Sequence, residues 1–234
     1  MSPHDLTDRV LLEDGPLLVI DKPAGLPSTG RSLDDEDCLQ HAVIARAGTM
    51  VWAVHQLDAD TSGVNLFTTE RRAVAPLKEA MGRATAAKVY HAVVHGRPSW
   101  DERVETARIG PVDERSLGVT AEGRTARTEL RVRARSERHA LLEVRLRTGR
   151  THQIRIHAAH LGHPLVGEEW YRQPPCHEHP RQALHASRLV LGGPFPLDVR
   201  APFPDDLARL AARLGLAPPL EIPPVEIPPG AAPR

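Results

Sequence analysis

At 234 residues, 41% hydrophobic and 26% charged, the chain has ordinary globular composition and is long enough to bury a core without disulfide or metal staples. Its two cysteines, Cys38 and Cys176, exclude a disulfide framework, and no apolar run approaches membrane length, so a reducing cytoplasm is the expected setting. The formal net charge of zero excludes a uniformly basic nucleic-acid binder, but not a locally basic one. Met1 to Glu13 is charged and short of apolar residues, so no signal peptide is expected.

Taken in chain order, the apolar runs at 17–20 (Leu-Leu-Val-Ile) and 64–67 (Val-Asn-Leu-Phe) predict strands. Between them, 37–47 predicts a helix stopped by Gly48. The spacing of Ala73, Leu77 and Met81 predicts a second helix over 70–83, and 88–96 reads as a strand ending on Gly96. Two runs then alternate with period two. In 128–135, Leu130, Val132 and Ala134 oppose Arg131, Arg133 and Arg135; in 140–148, Ala140, Leu142, Val144 and Leu146 oppose Leu141, Glu143, Arg145 and Arg147. One apolar face in each predicts half-buried antiparallel strands.

Residues 152–161 predict a helix with Thr151 as N-cap, stopped by Gly162 before Pro164. Segments 183–191 and 195–200 predict a hairpin through Gly192-Gly193-Pro194, and 204–214 a helix with Pro204 and two acids in its first turn, where the helix dipole favours them. From Gly215 to Arg234 there are seven prolines and Glu-Ile-Pro-Pro occurs twice, which predicts an extended or disordered tail. The expected organisation is a single α+β domain over 1–214, a mostly antiparallel mixed sheet with flanking helices, followed by the Pro-rich tail 215–234.

Two segments carry candidate chemistry. The first is 55–63, His-Gln-Leu-Asp-Ala-Asp-Thr-Ser-Gly, which sets Asp58 and Asp60 in a turn-rich stretch before a strand. The second is 149–171, Gly-Arg-Thr-His-Gln-Ile-Arg-Ile-His-Ala-Ala-His-Leu-Gly-His-Pro-Leu-Val-Gly-Glu-Glu-Trp-Tyr. On a helix, Arg155 has Thr151 and Ala159 as its i−4 and i+4 neighbours, so no carboxylate of that helix pairs it. A partner from elsewhere in the fold is expected, and Asp58 would serve, since a guanidinium keeps a partly buried carboxylate ionised and oriented.

The first segment resembles the His-Arg-Leu-Asp-x-x-Thr-Ser-Gly motif of RluA-type pseudouridine synthases. The stretch 149–167 resembles that family's Gly-Arg-x-His-Gln-Ile-Arg-x-His…Gly-His-Pro-x-x-Gly motif. Asp21-Lys22-Pro23-Ala24-Gly25-Leu26, Lys88-Val89-Tyr90 and Ala183-Leu184-His185-Ala186 resemble three shorter family elements, in the same order along the chain. The resemblance implies a pseudouridine-synthase catalytic fold and isomerisation of uridine in structured RNA, ribosomal or transfer. In that reaction the bond from ribose to uracil nitrogen 1 breaks, the base turns, and ring carbon 5 is joined to the sugar. No redox step or energy input is needed, so no cofactor is implied, and no Gly-rich phosphate loop occurs.

By position, Asp58 matches the essential aspartate, as nucleophile or base. Arg155 matches the arginine that pairs with it, and Tyr90 the tyrosine that stacks on the target uracil. His55, Gln56, Thr61, Arg150, His152 and Gln153 fall within the matched motifs and are expected to contact substrate. Gln56 stands where the family has arginine, and Glu168 where it has aspartate. The first change bears on RNA affinity, and the alternative it raises is an RNA-binding protein of this fold with little catalysis. The chain begins directly with the catalytic region, without a preceding small RNA-binding domain, and a monomer is expected.

Residues 121–160 hold ten arginines and four glutamates, net +6, and their arginines are the expected RNA-contacting groups. His152, His157, His160 and His163 crowd one segment and Cys176-His177-Glu178-His179 follows, but the spacing matches no zinc pattern. These histidines read as packing, capping or RNA-contact groups, with no metal expected.

Overall fold

The computed structural model describes residues 6–32, 35–193 and 195–217. In chain order the elements are β1 (Val10–Asp14), β2 (Leu17–Lys22), α1 (Leu39–Ala47), β3 (Trp52–Ala53), β4 (Ser62–Thr68), α2 (Val74–Gly82), β5 (Ala87–His95), β6 (Glu102–Glu105), β7 (Ile109–Pro111), β8 (Leu117–Val119), β9 (Thr128–Arg135), β10 (His139–Leu146), α3 (Gln153–His160), β11 (Leu184–Leu191), β12 (Leu197–Arg200) and α4 (Asp205–Arg213). They form two compact units, one built from the described residues up to Ala87 with Ala186–Pro202, the other from Lys88–His185 with the described residues from Phe203 onward.

In the first unit the strand order is β1-β2-β4-β11-β12, with β3 also paired to β4. The pairs β1·β2, β2·β4, β3·β4 and β11·β12 are antiparallel. The unbroken run Leu17-Leu18-Val19-Ile20 follows from burial on both faces. Leu17 and Val19 pack with Leu66, Leu77, Met81 and Leu189 on the α2 side, while Leu18 and Ile20 pack with Leu39, Val43 and Phe67 on the α1 side. Gly63 allows β4 to lie against β11: its φ is +110°, and a Cβ there would stand 2.2 Å from the Ala186 carbonyl oxygen.

In the second unit the order is β5-β10-β9-β6, antiparallel throughout, with β7 and β8 as a separate two-stranded ribbon. The alternation in 140–148 predicts one covered face, yet Leu141 and Glu143 are as buried as Leu142 and Val144. The reason is position: β10 is flanked by β5 and β9, and Leu141 packs with Leu207, Leu210 and Leu216. Burying each such leucine contributes about 1.5–3 kcal/mol. The bulge where Leu141 and Leu142 face Ala134 and Val132 skips Arg133, so 128–135 does not keep one arginine face along its length.

The helices and the 183–200 hairpin agree with the sequence expectation, apart from their ends. The N-cap of α3 is His152 rather than Thr151, and the N-cap of α4 is Pro204. Gly48 closes α1 with φ +65° as expected. Strands β1, β3, β6, β7 and β8 were not legible, being short or only partly apolar. Leu216 is buried beside α4, so the packed body extends past Gly215; residues 218–234 of the expected tail lie outside the described residues.

Candidate active site

The first unit contains the Asp58 loop, and its backbone is tied down from three sides. Lys22, with 0% of its surface exposed, sends Nζ to the carbonyl oxygens of Ala59 (2.6 Å), Leu26 (2.5 Å) and Pro23 (2.9 Å). Three carbonyl dipoles around a buried ammonium replace part of its lost hydration. The Gly25 N–H donates to the same Ala59 oxygen at 3.0 Å, and Thr61 N–H to Asp58 O at 3.0 Å closes the turn. On the other side, buried Ser28 Oγ accepts the Leu57 N–H at 2.8 Å and donates to Asn65 Oδ1 at 2.7 Å. Asn65 in turn donates to His55 O at 3.0 Å, and His55 Nε2 accepts the Leu66 N–H at 3.2 Å.

This anchoring separates the two acids of the loop. Asp58 is half-buried and Asp60 exposed. Gln56 is exposed and donates Nε2–H to Thr29 Oγ1 at 2.8 Å, while Thr61 is buried. Asp21, just before the buried lysine, has its carboxyl pushed up to about 6 because burial disfavours its charge more than Arg9 and Lys22 favour it.

The second unit contains Arg155. Its guanidinium is buried and meets Glu168 in a two-pronged pair, Nε to Oε2 at 2.8 Å and Nη2 to Oε1 at 2.8 Å. Glu168 Oε1 also accepts the N–H groups of Trp170 (3.0 Å) and Tyr171 (3.3 Å). Burial alone would raise the Glu168 carboxyl, but Arg155 and these two N–H groups outweigh it and hold it below the usual range. The guanidinium carbon lies 5.1 Å from the Trp170 ring centroid and 5.2 Å from that of Tyr171, within cation–π range. Glu168 lies beyond the end of α3, so the i±4 spacing of that helix does not reveal it as the partner.

His152 takes a left-handed backbone, φ +55°, at the start of α3, and its Nδ1 is 2.7 Å from the Tyr171 hydroxyl. A residue that is not glycine in that conformation is strained and is held by its surroundings. Gln153 is expected to touch substrate, but its buried amide is engaged by protein. Oε1 accepts from Thr148 Oγ1 (2.8 Å) and Arg150 N–H (3.0 Å), and Nε2 donates to Arg127 O (3.1 Å) and Thr128 Oγ1 (2.8 Å). It fixes the turn that presents Arg150 and His152. Arg150 is partly exposed, with Nε on Thr125 O, and Tyr90 lies on β5 opposite Val144, 9% exposed.

The basic stretch differs from its sequence appearance. Seven of its ten arginines stand in ion pairs: Arg127 and Arg147 with Glu129, Arg131 with Glu102, Arg133 and Arg145 with Glu143, Arg135 with Asp101, and Arg155 with Glu168. Three of these partners, Asp101, Glu102 and Glu168, lie outside the stretch and reduce its local +6 to +3. Among the described residues, no helix is long and apolar enough to cross a membrane.

Two human structures share this fold. "RNA Pseudouridylate Synthase Domain Containing 4" superposes with a TM-score of 0.75 at 24% identity, covering 90% of this chain and 94% of its own. "RNA Pseudouridylate Synthase Domain Containing 1" gives 0.73 at 21% identity, covering 93% and 99%. The fold is therefore that of pseudouridylate synthases, α+β with mostly antiparallel strands.

The family model for RNA pseudouridylate synthases matches residues 16–160, and the chain belongs to that family. It is similar to the "Ribosomal large subunit pseudouridine synthase D" of Xanthomonas campestris pv. campestris, 37% identical over 91% of this chain and 71% of the relative. It is also similar to the "Uncharacterized RNA pseudouridine synthase YlyB" of Bacillus subtilis, 34% identical over 91% and 74%. The protein is thus an isomerase that converts uridine in RNA to pseudouridine.

Proposed function

We propose that the substrate is ribosomal RNA, that Asp58 is the catalytic carboxylate, and that Arg155 and Tyr90 complete the reacting centre. The observation that carries the choice of acid is the clamp on Ala59 O. A buried lysine and a glycine N–H hold the backbone between Asp58 and Asp60, and only Asp58 is half-buried. Preorganisation of this kind is what a carboxylate needs to meet a sugar carbon or proton without moving. Nucleophilic attack on the sugar and removal of a sugar proton both begin from the ionised form. The N1–C1′ bond then breaks, C5–C1′ forms, the C5 proton passes to solvent and N1 takes one proton up, so the product is an isomer of the substrate. A glycosidase would want a second carboxylate facing the first, and Asp60 is exposed on the turn.

In this reading Arg155, held by Glu168, orients the Asp58 carboxylate, and Tyr90 stacks on the extruded uracil. His55, Gln56, Thr61, Arg150 and His152 line the approach of the RNA. The ribosomal choice rests on the name of the Xanthomonas relative. The protein works in the cytoplasm as a monomer. Pseudouridine mapping of total RNA from cells with and without this gene tests the substrate. Loss of a ribosomal modification is expected, and loss confined to transfer RNA would overturn the ribosomal assignment.

A further inference from the structure

The segment between α3 and β11, residues 161–183, is the longest irregular stretch of the second unit; apart from an isolated bridge at Leu165 it contains no strand or helix. Loops beyond about 12–15 residues are uncommon in compact domains without something to hold them. This one carries Glu168, Trp170 and Tyr171, three side chains that contact the Arg155 guanidinium.

Where it returns to the sheet, four metal-ligating side chains meet. His95 ends β5 and His139 begins β10; the two are directly paired across the ladder, and their rings lie 5.2 Å apart. From the loop, buried Cys176 brings Sγ to 3.1 Å from His95 Nε2, and Glu178 brings a carboxylate oxygen to 3.6 Å from His139 Nε2. The donor atoms of His95, Cys176 and Glu178 all lie within 4.8 Å of one another.

We propose that His95, Cys176 and Glu178, with His139 as fourth ligand, form a structural zinc site that staples this loop to the sheet. The donor set is a zinc set: imidazole nitrogens, a thiol sulfur and a carboxylate oxygen. Zinc–ligand bonds of about 2.0–2.3 Å put tetrahedral donors about 3.3–3.7 Å apart, close to the 3.1 Å between Cys176 and His95 and the 3.6 Å between Glu178 and His139. Half of the site is rigid, on paired strands, and half arrives on the loop. Sequence spacing hides it because the ligands come from two distant strands and a short Cys-x-Glu.

Binding replaces the Cys176 thiol proton, which passes to solvent, and leaves thiolate and carboxylate to balance the dication. The Gly167 N–H points at Cys176 Sγ from 3.3 Å and supports that negative charge. Arg138 and Arg172 both act electrostatically on His95, a repulsion that the negative charges of Cys176 and Glu178 would offset on binding a dication. Cys176 N–H donates to Glu168 O at 2.9 Å, so the staple also holds the backbone of the residue that grips Arg155.

The test uses the full chain and is independent of the RNA reaction. Protein stripped with a chelator, reloaded and desalted is expected to retain about one zinc per chain by atomic emission. Cobalt in its place should give the near-ultraviolet thiolate charge-transfer band and the strong visible bands of a tetrahedral site. Cys176→Ser should lose the charge-transfer band, while Cys38→Ser, buried in the first unit, should keep it. Glu178→Gln alters a half-exposed side chain and should leave the fold intact while weakening zinc by about tenfold or more. Wild-type protein that retains less than about a tenth of an equivalent, or a charge-transfer band that survives Cys176→Ser, would overturn the site.

Discussion

Arg155 and Glu168 meet through two hydrogen bonds of 2.8 Å, with the acid fully buried and the guanidinium within cation–π range of Trp170 and Tyr171. Glu168→Gln leaves a buried guanidinium without that countercharge, at a cost of about 3–5 kcal/mol. We expect a lower Tm and a fall of at least about tenfold in kcat. Glu168→Asp keeps the charge and should recover most of both. Steady-state kinetics and thermal melts on the two variants decide it; a loss in Glu168→Asp with Glu168→Gln near wild type would show that side-chain length, not charge, matters here.

Lys22 should act through position rather than contact with RNA. Lys22→Met keeps the stem and removes three bonds, leaving Pro23 O and Leu26 O without the ammonium. The expected result is a loss of about 2–4 kcal/mol of stability and a lower kcat, with KM changed less than about threefold. A rise in KM at constant kcat would mean that this lysine serves substrate binding instead.

Asp58→Asn should abolish isomerisation while preserving fold and RNA binding, because an amide keeps the shape but neither attacks nor accepts a proton. Asp60→Asn should retain most of the rate. Tritium release from uridine-labelled RNA measures both. An Asp58 variant retaining more than a few per cent of the rate, roughly a 2 kcal/mol change in barrier, would exclude the assignment.

Asp21 makes the protein less stable at neutral pH than near pH 4. Its carboxyl is pushed up to about 6 in the folded state against an unfolded value of 3.8, so the folded protein holds the extra proton between these limits. That contribution is complete below the unfolded value and is lost as pH rises through about 6. Asp21→Asn should therefore gain up to about 3 kcal/mol above about pH 7, with the gain shrinking as pH falls toward 4. Urea melts across this range would refute the reading if the gain were independent of pH.

Arg131, Arg133 and Arg135 are paired with Glu102, Glu143 and Asp101, so their single replacement by alanine should change the salt dependence of RNA binding little. Gln56→Arg should instead tighten binding and steepen log K against log salt by about one unit or slightly less. A salt titration on a ribosomal RNA fragment checks both; a shallower slope in the alanine variants would restore this strand as an RNA face.

Much of the fold was legible because its signals are local. Leu17-Leu18-Val19-Ile20, the alternation in 128–135 and the stop at Gly48 follow from the geometry of one strand or one helix, which the next few residues reveal. The motifs around Asp58 and Arg155 were likewise contiguous, and so identified the chemistry. What tertiary structure decided depends on partners far along the chain. Lys22 reaches Ala59, Gln153 spends its amide on Thr128, and His95 meets Cys176. The arginines of 121–160 read as a basic patch partly because three of their carboxylate partners, Asp101, Glu102 and Glu168, lie outside that segment and reach it only through the fold. Hydrogen bonding and charge compensation act through space at a few ångströms, so which of these side chains face one another was settled only when the strands found their register.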